Sequence, residues 1–286
     1  MGADIIFKNL GITIQNLNPV AFNLFGIEIY WYGIIISSAI LAGLLTATTI
    51  AKKTGQNPET YTELLIYGLV GSIVGARLYY VAFSWEYYRN DIMKIFALRE
   101  GGIAILGGVI GGAIVCLIFA KWKKLSPLVI MDTSAAGMIL GQAIGRWGNF
   151  FNMEAFGGYS DNLFAMAINI EKAKYLPQEL MEKLVIMDGA QYIQVHPTFL
   201  YESIWNLAVF AVIMLYIFRK KFDGEIVCIY FVGYGLGRVW IEGLRTDQLL
   251  IGNTSIPVSQ LLAGILVIVF SIIWVGKRKQ LKIKQN

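Results

Sequence analysis

The stretch "PLVIMDTSAAGMILGQAIGRWGNFFNMEAFG", residues 127–157, decides how this chain is read. Its first part, up to Gly145, carries a single charge, Asp132, and is long enough to cross a bilayer, where about 20 mainly apolar residues suffice for a helix. An arginine, two asparagines and a glutamate follow at once, as Arg146, Asn149, Asn152 and Glu154, spaced by glycines. A membrane helix ending on such a cluster sets polar groups at one depth.

The same pattern of apolar runs and short basic connections fills the 286 residues. They are 56% hydrophobic and only 15% charged, with a mean hydropathy of +0.59. Soluble domains carry about 25% charged residues, so the composition excludes an ordinary soluble fold. Seven runs are long enough to span, at about 30–51, 62–83, 102–120, 127–145, 198–218, 225–243 and 259–276. They are continuous rather than alternating, which excludes an outer-membrane barrel. The expectation is an all-α integral membrane protein, with residues 1–286 forming one membrane domain of seven transmembrane helices. The first 29 residues lack the basic segment and small-residue cleavage site of a signal peptide. Within them "IFKNLGITIQNL", residues 6–17, is expected to be at most an interfacial segment. The longest polar connection, about 149–197, is expected to form a small head subdomain, with "PQELMEKLVIM" (177–187) as a short amphipathic helix.

Lysine and arginine in the short connections set the orientation. One set of flanks holds Lys52, Lys53, Lys121, Lys123, Lys124, Arg219, Lys220 and Lys221, and the C-terminal tail on the same side adds Lys277, Arg278, Lys279, Lys282 and Lys284. The opposite side holds Lys8, Arg89, Lys94, Arg99, Lys172, Lys174, Lys183 and Arg245. Thirteen against eight predicts a cytoplasmic C-terminus, an N-terminus outside and a head on the outer side. The net charge of +5 is then a topology signal and an attraction to anionic lipid, not a nucleic-acid footprint.

Cys116 and Cys228 fall inside predicted spans and read as small packing residues. A single histidine, His196, excludes a histidine-rich metal site. Glycines in "GLVGSIVGAR" and "GGIAILGGVIGGAIV" read first as tight helix packing, and also as thin surfaces that leave room for lipid tails.

Charges inside spans cost about 2.5–3.5 kcal/mol each at a helix centre, so they need a compensating reason. Arg77 lies in the second run, Arg146 at the end of the fourth, and Arg238 in the sixth with Glu242 one turn later. An i,i+4 pair such as Arg238 and Glu242 can neutralise itself; that does not account for Arg146. The predicted orientation gathers Arg146, Glu154, His196, Arg238, Glu242 and Arg245 in the outer half. Guanidinium forks match phosphate, and the abundant phosphate at that depth is the phospholipid headgroup. The residues alone therefore point to a polar, outward-opening cavity that binds such a headgroup.

The motifs go further. "GRWGNFFNMEAFG" (145–157) resembles the signature of the bacterial phosphatidylglycerol–prolipoprotein diacylglyceryl transferase family. "YWYG" (30–33), "GARLYYV" (75–81), "GGIAILGG" (101–108), "HPTFLYES" (196–203) and "YGLGRVWIEGLRTD" (234–247) resemble its other segments, in order. The resemblance implies a multi-pass enzyme of the bacterial inner (plasma) membrane that begins lipoprotein maturation. It would move the diacylglyceryl group of phosphatidylglycerol to the thiol of a prolipoprotein lipobox cysteine, forming a thioether and releasing glycerol phosphate. Its partners would be that lipid, the prolipoprotein signal helix and the surrounding membrane lipids, and no metal or soluble cofactor is implied. Carried over by position, Arg146, Asn149, Glu154 and Gly157 match the signature's functional residues, with Arg238, Glu242 and Arg245 at the end of the sixth helix and Tyr32 in the first. The arginines, Arg77 among them, would hold the phosphate, and Glu154 and Glu242 would orient those guanidiniums. Asn149 would donate to headgroup oxygens, Tyr32 would order the headgroup or assist proton transfer, and Gly157 would let the loop backbone approach closely.

One position departs from the family. Many members carry a histidine in the third-helix segment, read as the base that deprotonates the thiol; Leu106 stands there in this chain. Either electrostatic stabilisation of the thiolate by Arg146 and Arg238 replaces it, or His196 or a carboxylate accepts the proton. His196 also fits a plain role as cap or anchor of the fifth helix. The competing reading of another class is a lipid-binding transporter or scramblase, which requires charged residues or broken helices running through to the cytoplasmic side; beyond Arg77 few are present.

Overall fold

Long helices form where the apolar runs lie. The computed structural model describes residues 3–97, 101–252 and 254–285; Arg99 of the basic count lies outside the described residues. The helices are α1 (Trp31–Lys53), α2 (Glu59–Phe83), α3 (Trp85–Tyr88), α4 (Ile105–Trp122), α5 (Pro127–Phe151), α6 (Gln178–Met181), α7 (Thr198–Tyr216), α8 (Glu225–Glu242) and α9 (Val258–Gln285). Six are long and apolar enough to cross a membrane: α1, α2, α4, α5, α7 with its 3-10 extension to Arg219, and α9. The sixth run of the sequence, α8, has 18 residues but carries Glu225, Arg238 and Glu242, and does not join that set on apolarity. Large apolar side chains such as Leu41, Leu45, Val70, Ile110, Leu215 and Ile272 stand exposed along these helices, as lipid-solvated surfaces do. The chain is a multi-pass membrane protein.

Two compact units are present, one being Leu44–Ser134 and the larger made of the chain before and after it. In Leu44–Ser134, α2 and α4 pack backbone against backbone: a Cβ on Gly75 would sit 2.5 Å from the Gly107 carbonyl oxygen, and one on Gly111 would sit 2.3 Å from that of Gly71. These glycines are contact surface, as small residues between membrane helices are. Ala47, Ala51, Tyr61, Phe119, Ala120 and Ile130 complete that core. In the larger unit, α1 and α5 cross equally closely at Gly43 and Gly137.

The expectation of an all-α chain is corrected here. The larger unit carries a five-stranded antiparallel sheet, ordered β2-β1-β5-β7-β6, from β1 (Ile5–Phe7), β2 (Ile12–Ile14), β5 (Met166–Asn169), β6 (Val185–Met187) and β7 (Ala190–Val195). A separate hairpin pairs β3 (Val20–Leu24) with β4 (Ile27–Tyr30) and leads straight into α1. The N-terminal segment expected at an interface is thus β1 and β2, linked by a 3-10 turn at Lys8–Leu10. Of the expected amphipathic helix 177–187 only the single turn Gln178–Met181 is helical, and β6 takes its end. The physical reason is non-local pairing. Ile5 pairs with Ile168 and Ile6 with Ala167, and both faces of β1 are covered, so its residues show no alternation. Ile5, Phe7, Met166, Ile168, Ile193 and Val195 close one core with Phe150, Met153, Phe156 and Phe199. The sheet is thereby seated on the end of α5 and the start of α7.

Candidate active site

Three loops of the larger unit are stitched together by backbone. Gly157 N–H donates to the His196 carbonyl at 3.0 Å, His196 N–H to that of Gly158 at 3.0 Å, and Gly158 N–H to that of Leu244 at 2.8 Å. The Thr198 hydroxyl adds a bond to the Ala155 carbonyl. Such a junction requires glycine: a Cβ on Gly157 would lie 2.8 Å from both the His196 Cβ and the Leu244 carbonyl oxygen. It brings the end of α5, the start of α7 and the end of α8 to one place.

Arg146, Arg238 and Arg245 meet there around a carboxylate that sequence reasoning did not single out. Glu202, on α7 and almost wholly buried, takes Arg146 Nε at 2.6 Å on Oε2. Its Oε1 takes Arg238 Nη1 at 3.0 Å, with Arg245 Nη1 3.8 Å away. Glu242 Oε2 lies 2.6 Å from Arg238 Nη2, the i,i+4 contact expected, and its Oε1 accepts from the Ser259 hydroxyl at 2.5 Å. Asp247 accepts both Nε and Nη2 of Arg245, at 2.9 and 2.7 Å. Three guanidiniums and three carboxylates leave the cluster neutral, which lowers the cost of holding arginines at a membrane helix end. Burial opposes the charge on Asp247, but its hydrogen bonds and charge contact with Arg245 win and hold its pKa below the ordinary value.

Arg146 differs from its neighbours. Its Nε is engaged, while its two terminal nitrogens have no protein partner among the described residues. It sits, as expected, within the last turns of α5, which runs to Phe151, so Asn149 too belongs to helix rather than to a head loop beginning near 149. Immediately after, Met153 and Ala155 adopt left-handed φ values of 48° and 57° and hold Glu154 between them; strain of this kind gathers at functional positions.

Glu154 does not orient an arginine here. Its Oε2 takes Lys174 Nζ at 2.5 Å, and its Oε1 accepts the side-chain amides of Asn149 at 3.3 Å and Asn152 at 3.1 Å. Asn149 thus spends an N–H on a neighbouring carboxylate. Glu154, Lys174, Thr246 and Asp247, with Phe156 and Tyr175, line a cavity of about 210 Å³ beside the arginine cluster. Tyr32, in the first turn of α1, lies over Gly148, where a Cβ would come within 2.8 Å of its ring. His196 Nδ1 is 3.4 Å from both the Asn162 amide and the Tyr201 hydroxyl, and burial lowers its pKa below 6.5.

Arg77 has a different occupation. It is buried on α2 of the Leu44–Ser134 unit, and its guanidinium donates to the carbonyls of Lys94, Ile95, Ala97, Gly101 and Gly102. Those bonds secure the segment between α2 and α4, and they fill the fork that the sequence reading gave to phosphate. Leu106 is the second residue of α4 in the same unit.

Glu202, Asp247, Lys174 and Ser259 are the site residues that the sequence reading missed. Glu202 had a signal: a glutamate one turn into an apolar run, inside the quoted "HPTFLYES", carries the same insertion cost as the arginines.

The profile described as prolipoprotein diacylglyceryl transferase matches residues 19–276. A phosphatidylglycerol–prolipoprotein diacylglyceryl transferase of Synechocystis sp. is 41% identical over 266 residues, 91% of this chain and 90% of the relative. Proteins of the same name from Listeria innocua and Clostridioides difficile are 41% identical over 259 residues and 38% identical over 270 residues. The Clostridioides protein is matched over its whole length and the Listeria protein over 89%. With a profile that covers most of the chain and relatives at this identity, the chain belongs to the prolipoprotein diacylglyceryl transferase family.

Proposed function

We propose that this protein transfers the diacylglyceryl group of phosphatidylglycerol to the lipobox cysteine of a prolipoprotein. The observation that carries the reading is Arg146: a guanidinium fixed through Nε, its terminal pair without a partner among the described residues, at the end of a membrane helix. The cysteine sulfur attacks the diacylglyceryl carbon that bears the phosphate ester. The C–S bond forms, that C–O bond breaks, and glycerol phosphate leaves with the electron pair. The charge growing on the phosphate falls to the Arg146 fork, with Arg238 and Arg245 held behind it by Glu202, Glu242 and Asp247. Donors preset where charge develops are the largest single contribution in many enzymes.

A thiol of pKa about 8.5 is already ionised to a few per cent at neutral pH, and a guanidinium nearby raises that fraction. His196 is a second acceptor for the proton, since its lowered pKa keeps the imidazole neutral. Tyr32 orders the headgroup from α1. The basic flanks support seven spans, α8 included, with the N-terminus outside and the C-terminus cytoplasmic in the bacterial plasma membrane; the site then faces the outer leaflet. A signal helix and a phospholipid both reach it through the membrane.

The transporter or scramblase alternative draws no support from the relatives, whose names are those of transferases. Reconstitution with phosphatidylglycerol and a lipobox peptide tests the proposal. Thioether product is expected from the unaltered chain and a loss of at least about 100-fold on Arg146→Ala, the scale for removing one transition-state donor. Absence of product, or full activity in Arg146→Ala, would refute it.

A further inference from the structure

The cavity beside the arginine cluster has a chemistry of its own. At about 210 Å³ and lined largely by polar side chains, it suits a small polar group such as a polyol. Its charges cancel in pairs once Arg245, which meets Asp247 from behind the lining, is counted: Glu154 with Lys174 at 2.5 Å, Asp247 with Arg245 at 2.7 Å. What remains is acceptor capacity. A carboxylate offers about four lone-pair sites. Asp247 uses one on each oxygen for Arg245, and Glu154 uses three, for Asn149, Asn152 and Lys174. The Thr246 hydroxyl donates to the Phe156 carbonyl at 3.3 Å, which leaves its oxygen free to accept. A neutral pocket rich in spare acceptors suits hydroxyl donors. It gives an anion little, and a cation no net field.

We propose that this cavity is the subsite for the terminal glycerol of the lipid headgroup, and that Lys174 sets the preference for a neutral polyol over an ammonium headgroup. This rests on the transferase reading above. Asp247 links the two parts: it lines the cavity and grips Arg245, so a headgroup can place its phosphate at the guanidiniums and its diol against Asp247, Thr246 and Glu154. Without Lys174, the lining together with Arg245 carries one net negative charge and attracts an ammonium.

The test measures kcat/KM for thioether formation by the reconstituted full chain with three lipid donors: phosphatidylglycerol, phosphatidylethanolamine and phosphatidylpropanol, which lacks the terminal hydroxyls. Lys174→Met is expected to lower the preference for phosphatidylglycerol over phosphatidylethanolamine by roughly three- to fivefold, the scale for an exposed ion pair, and Lys174→Arg to restore it. Thr246→Val is expected to lower the preference for phosphatidylglycerol over phosphatidylpropanol by a similar factor. If the unaltered chain makes product while neither substitution moves its ratio, the glycerol subsite is refuted and the transferase reading stands. If Lys174→Met abolishes transfer from every donor and Lys174→Arg does not rescue it, the specificity role is refuted too. No product from the unaltered chain with any donor removes the reading on which the subsite depends.

Discussion

Glu202→Gln is the sharpest probe of the cluster. The substitution keeps the side chain's volume but removes the charge shared by Arg146, Arg238 and Arg245 at 2.6, 3.0 and 3.8 Å. One amide oxygen can still accept from one guanidinium, whereas the amide nitrogen, itself a donor, must face another. The three arginines would then answer to Glu242 and Asp247 alone, and the cluster would carry one net positive charge. Removing one partner of a buried pair costs about 3–5 kcal/mol, and the low exposure of Glu202 places it in that class. The more telling effect is on catalysis, because Glu202 is the only group fixing Arg146 Nε among the described residues. A displacement of about 1 Å at a reacting centre costs about 100-fold in rate. The added positive charge works the other way on binding and holds phosphate in the ground state at least as well.

Kinetics separate the two effects. In transfer assays with phosphatidylglycerol, Glu202→Gln is expected to lower kcat by about 100-fold while KM stays level or falls, and thermal unfolding in detergent shows a lower Tm. Glu202→Asp keeps the charge but is one methylene too short to span the separate contacts, so an intermediate kcat is expected. A rise in KM at unchanged kcat would assign Glu202 to uniform binding instead. Glu202→Gln with kcat within threefold and an unaltered Tm would overturn the claim that this carboxylate positions Arg146.

Three other substitutions probe the frame around it. Gly157→Ala drives a methyl into His196 and Leu244 at 2.8 Å; a stability loss of about 1–3 kcal/mol and a larger fractional loss of activity are expected, read by thermal unfolding and thioether yield. Arg77→Leu strips donors from the carbonyls between Lys94 and Gly102, at about 1–3 kcal/mol for each acceptor left buried and unpaired, so faster proteolysis of the 85–102 segment is expected before any change in phosphatidylglycerol binding. If His196 accepts the thiol proton, its burial-lowered pKa puts the acid limb of kcat/KM below pH 6.5, and activity is lost as pH falls through that value because the imidazole gains its proton. His196→Gln abolishes that limb; transfer within a few-fold of the unaltered chain with the same limb removes His196 as the base.

Spans were legible in the sequence because lipid enforces them locally. Each helix must satisfy its own backbone and present an apolar surface, so α1, α2 and α4 appear within a few residues of the runs that predict them. Sheet strands obey no such local rule: β1 is three residues long and pairs with β5 across some 160 positions. The arginines were legible because a charge in an apolar run is conspicuous. Their partners were harder to see. Asp247 and Lys174 lie in polar connections where a charge costs nothing, and only the fold places them against Arg245 and Glu154. Arg77 shows the converse: intramembrane cost marks a residue as needing partners, without saying whether they are a substrate's oxygens or, as here, the chain's own carbonyls.

The neutrality of the cluster bears on how a chain with Leu106 in place of a histidine ionises a thiol. Were the site a bare patch of three positive charges, the thiolate would be stabilised wherever it entered, and a leaving phosphate would be held as firmly as an arriving one. Glu202, Glu242 and Asp247 cancel that long-range field. What survives is short-ranged and directional, chiefly the two nitrogens of Arg146 that have no partner among the described residues. A thiolate is then favoured only where it approaches that fork, which is where the phosphate ester must also lie for the sulfur to reach the carbon beside it. On this reading activation and positioning coincide at one guanidinium, and substitutions that tilt Arg146 without removing it, Glu202→Gln first among them, depress the transfer step even though the uncancelled positive charge favours the thiolate.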